Sequence, residues 1–187
     1  MNREDRDDVN EVGALPALVE SARRGHRGAM DALYRRFAPV VHGVLLGYVQ
    51  QADADDLTQD VFETAVRRLG ELRDAAAFPG WIVSIARRAA LDEKRRRVPL
   101  TGVSVEAESG AATHEERLDA ERTLEAIRGL PEAYRETLML RLAEGLTGPE
   151  ISARTGLTPG GVRVNLHRGM TLLRAALASG GSGGNTR

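Results

Sequence analysis

Three groups of residues in this chain have types and spacings that could do chemistry. The first lies in "LTPGGVRVNLHRG", from Leu157 to Gly169, where Thr158, Pro159, Gly160 and Gly161 precede Arg163, Val164, Asn165, His167 and Arg168. A hydroxyl, a proline and bare backbone at a helix start leave amide N–H groups that favour an anion, and the cations behind them favour it further. The second is Arg87, Arg88, Lys94, Arg95, Arg96 and Arg97, set against only Asp92 and Glu93. The third is acidic: Asp53, Asp55, Asp56 and Asp60 within eight positions.

Catalysis and metal binding fit these groups poorly. An EF-hand loop needs glycine at its sixth position, where this chain has Thr58, and a distal glutamate. His26, His42, His114 and His167 are scattered, and no HExxH pair occurs. The chain has no cysteine, which removes disulfides, thiolate zinc sites and cysteine nucleophiles. No glycine-rich phosphate loop followed by lysine is present. The expectation is therefore a binding protein without enzymatic activity, cofactor or metal. Its formal net charge of −1 hides an alternation of acidic and basic blocks. The first twelve residues and 104–121 are acidic, 87–97 is basic, and no acid follows Glu150. Two basic blocks divided by an acidic spacer suggest two contacts with a polyanion.

Helices must position these groups. With 42% hydrophobic, 28% charged and only 4% aromatic residues, the composition has a helical bias. Leu15, Leu18 and Val19 mark a first short helix ending near Gly25. Met30, Leu33, Tyr34 and Phe37 belong to a second beginning near Gly28, with Pro39 either kinking it or marking a bend. Leu57, Val61, Ala65 and Leu69 recur every four residues, predicting a helix from about Asp53 to Leu69 whose acidic first turn suits the helix dipole. "LRDAAAFPGW" reads as a loop. Pro79 then starts a helix carrying Trp81, Ile82, Ile85 and Ala89 inward. Periodicity is lost over 98–113, which predicts a flexible linker and a domain boundary.

A second domain from about His114 to Ala178 begins with helices at 115–129 and 131–144. Thr147 and Glu150 have capping-box spacing, and Gly156 suits a left-handed stop. Leu157 is placed to pack inward from the turn. Thr158 caps a second helix with Pro159 in its first position. Val162, Leu166, Gly169, Leu173 and Leu177 fall on one face of it, and Arg163, Val164, His167 and Arg168 on the other. Two helices joined by a short turn, the second basic outside, form a helix-turn-helix, whose second helix enters the major groove tip first.

"EGLTGPEISARTGLTPGGVRVNLHRGMTLLRAAL" resembles the fourth conserved region of bacterial RNA polymerase sigma factors of the sigma-70 family, and most of all the extracytoplasmic-function (ECF) group. "ALYRRFAPVVHGVLLGYV", "DADDLTQDVFETAVRRL" and "FPGWIVSIARRAALDEKRRR" resemble the second conserved region, in the expected order. The resemblance covers about 28–97 and 118–178. It implies an all-α protein of two small helical domains: region 2 over 15–97 and region 4 over 115–178. A linker at 98–114 joins them, an acidic segment (1–14) precedes them, and a disordered tail (179–187) follows.

The implied function is transcription initiation. By resemblance, Asp55, Asp56, Leu57, Gln59, Asp60 and Phe62 dock on the clamp helices of the polymerase's largest subunit, and region 4 meets its flap. The loop Asp74, Ala75, Ala76, Ala77 and Phe78 captures a flipped base of the −10 element. Arg87, Arg88, Arg95, Arg96 and Arg97 hold that strand by its phosphates. Thr158, Pro159, Gly160, Gly161, Arg163, Val164, Asn165, His167 and Arg168 meet the −35 duplex. The helix tip departs from the family's small-Gly-Thr-Val-basic-Ser-Arg pattern, and Arg88 stands where asparagine is usual. Trp81 reads as core, and the acidic linker either fills a basic channel or simply spaces the domains.

Partners implied are core RNA polymerase, promoter DNA and a possible anti-sigma factor. The polar N-terminus reads as no secretory signal, and no apolar run approaches membrane-spanning length, so a cytoplasmic location is expected. A stand-alone helix-turn-helix regulator is the alternative. That class would not need the acidic docking helix and usually adds a sensor or dimerisation domain.

Overall fold

The structure, a computed structural model, describes residues 15–96 and 114–180. The acidic N-terminus, Arg97, the linker up to residue 113 and the tail from 181 lie outside the described residues. The described residues are almost all helical: α1 (15–23), α2 (Arg27–Leu46), α3 (Gln51–Arg68), α4 (Phe78–Arg96), α5 (His114–Arg128), α6 (Glu132–Leu142), α7 (Gly148–Thr155) and α8 (Pro159–Gly180). Two 3-10 turns, Leu69–Glu71 and Ala75–Ala77, link α3 to α4.

In the first half, α2, α3 and α4 pack on one another. Leu33, Phe37, Val40, Val41, Val44 and Leu45 of α2 are fully buried, facing Ala54, Val61 and Ala65 of α3 and Phe78, Ile82 and Ala86 of α4. Pro39 sits inside α2 without ending it. In the second half, α8 lies along α6, and α5 and α7 flank the pair. Gly169 makes that packing close. A Cβ there would stand 3.1 Å from Leu138 Cδ1 and 3.2 Å from Tyr134 Cβ.

The two halves also pack on each other, α2 against α6 and α4 against α7. Their buried side chains form one continuous cluster. A Cβ on Gly43 would come within 2.8 Å of Glu144 Cγ and 2.9 Å of Leu140 Cδ2, so the missing side chain admits α6. Arg128 plugs the α2–α3 corner, donating to Leu46 O at 3.0 Å and Val49 O at 2.9 Å. Leu46 ends α2 and Val49 lies in the turn before α3, so neither carbonyl has an intrahelical partner and a guanidinium can satisfy both. Arg135 lies over the Tyr48 ring at 4.6 Å.

Several boundaries differ from the sequence expectation. The loop before Trp81 contains a capped 3-10 turn, and α4 starts at Phe78 with Pro79 in its first turn. α8 runs on to Gly180. Leu157, expected to pack inward, is 41% exposed, and Leu177, expected on the inner face of α8, is 39% exposed.

Candidate promoter and polymerase interface

The helix-turn-helix is built by local chemistry. Thr147 Oγ1 accepts from the Glu150 amide at 3.4 Å, and Glu150 Oε2 accepts from the Thr147 amide at 2.8 Å, a complete capping box. The hydrogen bond from the Thr147 backbone holds the Glu150 carboxyl below its ordinary range. Gly156 closes α7 at φ +79°, a conformation that disfavours any Cβ. Ser152 Oγ donates to Leu157 O at 2.6 Å and fixes the turn. Thr158 then caps α8: its Oγ1 accepts from the Gly161 amide at 3.1 Å.

Val162 and Leu173 anchor α8 in the core. The opposite side of its first half is open: Thr158, Pro159, Gly160, Arg163, Val164, His167 and Arg168 are exposed, and Gly161 is partly so. Asn165 differs. Its Nδ2 donates to Thr137 Oγ1 at 3.3 Å, so it helps seat α8 on α6 instead of facing out with the rest.

On the first half, α3 presents Asp55, Asp56, Gln59 and Asp60 to solvent. Leu57 is half-buried. Phe62 is buried and packs against the Tyr34 ring at 4.6 Å with the planes tilted by 55°, so it supports the acidic face from beneath. The exposed apolar atoms beside that face belong to Tyr34 and Val66, which periodicity assigns to the apolar stripes of their helices.

The segment expected to capture a base is compact. Asp74 Oδ1 accepts from the Ala76 amide at 2.9 Å, capping the 3-10 turn. Ala75 and Phe78 are buried, Phe78 against Phe37 at 5.0 Å and Trp81 at 5.8 Å. Asp74, Ala76 and Ala77 remain exposed. Trp81 is only partly buried. It lines a cleft of about 390 Å³ between α3 and α4, with Ser84, Arg68, Arg88 and Arg96.

The basic residues of α4 divide by face. Arg88 is exposed at the cleft. Arg95 and Arg96 are exposed and pair within the helix with Asp92 and Glu93. Arg87 points the other way, into the contact between the halves. Its Nε and Nη2 each donate to a Glu136 carboxylate oxygen at 2.9 Å, and Glu132 lies at 3.0 Å. The Glu136 hydrogen bond raises the Arg87 pKa further, and beside the same carboxylate burial pushes the Tyr48 phenol well up. Arg87 is therefore not a free phosphate ligand in this conformation. No group of three or more His, Asp or Glu among the described residues could hold a metal. No described helix is long and apolar enough to cross a membrane.

Two family models match the chain: sigma-70 region 2 over residues 33–98 and sigma-70 region 4 over residues 120–173. RNA polymerase sigma factor CarQ of Myxococcus xanthus is 30% identical over 165 residues, covering 85% of this chain and 95% of CarQ. The ECF RNA polymerase sigma-E factor of Escherichia coli K12 is 33% identical over 167 residues, covering 81% and 87%. CnrH, solved with the cytosolic domain of CnrY, shares the fold at a TM-score of 0.60 and 23% identity, over 89% of this chain and 98% of that one. So does RpoE of Bartonella quintana, solved with the anti-sigma factor NepR, at 0.51 and 17%, over 79% and 96%.

Proposed function

Because the chain belongs to the sigma-70 family of RNA polymerase sigma factors, in the ECF group, we propose that its halves read two promoter elements, α8 the −35 duplex and the 74–97 segment the −10 element. The protein is a transcription initiation factor that binds core RNA polymerase and directs it to specific promoters. The residue assignment rests on one observation above all: the capped tip of α8 is bare and open, with Arg163, Val164, His167 and Arg168 on its solvent side.

The exposed Gly160 backbone, between Pro159 and the capped Gly161 amide, approaches phosphate, and Arg163 and Arg168 add charge. Val164 offers an apolar contact to a thymine methyl, and His167 reaches phosphate or base. Asn165 acts from behind by fixing the helix. In the other half, Asp55, Asp56, Gln59 and Asp60 dock on the polymerase clamp helices, with Leu57 partly engaged. Asp74, Ala76 and Ala77 form the rim that receives a flipped base, which Phe78 and Ala75 support from the core. Arg88, Arg95, Arg96 and Arg97 hold the strand, and Arg87 joins them once released from Glu136. The factor works by positioning, without catalysis of its own, in the cytoplasm. Tethering to polymerase supplies the effective concentration that lets weak contacts suffice.

The stand-alone regulator is not favoured, since both sigma regions are present in one chain. An anti-sigma factor is a reasonable partner, as CnrH and RpoE were solved with proteins bound. Mixing the purified chain with core polymerase and a promoter library tests the assignment. Specific initiation is expected, and no association with core would refute it.

A further inference from the structure

We infer that Arg23 of α1 is a positioning residue for the −10 element: it holds the backbone that leads into the rim receiving a flipped base. α1 lies ahead of the stretch matched by the region 2 model, which starts at residue 33. Its inner stripe is Leu15, Val19 and Ala22, all buried, so apolar contact seats the helix in the core. Arg23 sits in the last turn and reaches across to the segment between α3 and α4. Its Nε donates to Leu69 O at 3.4 Å and its Nη2 to Leu72 O. Glu20, one turn back, accepts from Nη1 at 2.6 Å and fixes the guanidinium from the other side.

The rim has little of its own to hold it. Asp74, Ala76 and Ala77 are exposed, and two of the three are alanines with almost no side chain to pack. Its order comes from its two ends. On the far side Phe78 is buried against Phe37. On the near side the Leu69 and Leu72 side chains are buried, and Arg23 takes the carbonyls of the same two residues. Only Arg73 separates Leu72 from Asp74, whose carboxylate caps the next turn. A charged donor makes the stronger kind of hydrogen bond, and a planar guanidinium on two carbonyls fixes the direction in which the chain enters the rim. A loop ordered before its ligand arrives spares the cost of ordering it on binding. Arg23 touches no DNA in this role; it sets where Asp74, Ala76 and Ala77 stand when the base arrives.

This inference rests on the reading of 74–78 as the base-capturing segment, and the two fail differently. The full chain, assembled with core polymerase, is titrated with a −10 non-template single strand, intact or with one base removed at each position in turn. Wild type should lose affinity when the captured base is removed. Arg23→Gln should bind the intact strand on the order of tenfold more weakly, the scale of one hydrogen bond from a charged group. It should also lose most of its sensitivity to the missing base, while its association with core and its −35 duplex binding match wild type. Arg23→Lys keeps the charge without the planar fork and should fall between the two. If Arg23→Gln does not fold by circular dichroism, the same comparison is read on Arg23→Lys. A variant that discriminates against the missing base as well as wild type does overturns the positioning role, since a residue serving the fold alone leaves discrimination intact in the folded molecules. A wild type indifferent to every removed base overturns the capture reading itself, and the role of Arg23 with it.

Discussion

Replacing Gly160 by alanine should separate stability from promoter binding. A Cβ built on Gly160 meets nothing within 4 Å, so the folded chain has no steric need for glycine there. Its position in the first turn of α8 favours alanine through backbone entropy, by roughly 0.4–1 kcal/mol. For a chain of this size that raises Tm by about 1–4 °C. Gly161 is the contrast, one residue on. Its Cβ would stand 3.1 Å from Thr158 Oγ1, the oxygen that caps its own amide. Gly161→Ala should therefore disturb the cap at a cost of about 0.5–2 kcal/mol, which offsets or exceeds the same entropic gain. On the −35 duplex, a methyl at 160 blocks the approach of the bare helix start. Losing one charged hydrogen bond there lowers affinity on the order of tenfold. Thermal unfolding by circular dichroism and anisotropy titration of a −35 duplex in the polymerase complex read the two effects. A Gly160→Ala variant that is more stable and binds like wild type would show that the tip does not touch DNA closely.

Three further outcomes are expected. Thr147→Ala removes the hydroxyl half of the capping box and should lower stability by about 1 kcal/mol, read as a shift in denaturant midpoint at constant slope. Arg163→Ala and Arg168→Ala should each weaken −35 binding and lower its salt slope by about one unit; an unchanged footprint removes either from the interface. His42 gives a pH dependence. Its hydrogen bond to Glu144, 2.7 Å away across the two halves, raises its pKa above the ordinary value, with help from Asp55 and against burial. The stabilisation is complete below the ordinary histidine pKa, about 6.5, and is lost as pH rises through the raised folded value. Unfolding profiles between pH 5 and 9 should show this alkaline loss in wild type and not in His42→Gln.

Much of each half was legible in the sequence because its signals are local. The four-residue stripe of Leu57, Val61, Ala65 and Leu69 put Val61, Ala65 and Leu69 in the core. Thr147, Glu150, Gly156 and Thr158 each satisfy backbone groups within a few residues, so their spacing alone predicted the helix-turn-helix that the structure shows. The contact between the halves was not legible. Arg87 and Glu136 are 49 residues apart and His42 and Glu144 are 102 apart, and each reads as an ordinary charge on a solvated helix face. Helical periodicity tells which residues share a face and not which face meets which. The same limit explains Arg87, Asn165 and Phe62. All three sit on the expected helices, and in this structure a neighbouring element meets each side chain, which periodicity does not reveal. Tyr34 and Val66 fail for the converse reason: apolar periodicity assigns both to the buried stripes of their helices, yet both are exposed.

Gly80 and Gly156 meet nearly backbone to backbone. Gly156 is bound to its left-handed turn, so its identity is fixed by the helix-turn-helix itself. Gly80 is under no such constraint: its φ is ordinary, and a methyl there would meet only Thr155 O at 3.8 Å. A larger side chain at position 80 would act as a doorstop, holding the helix-turn-helix off the start of α4. The separation of α4 from the helix-turn-helix is thus set at one exposed position, by size alone.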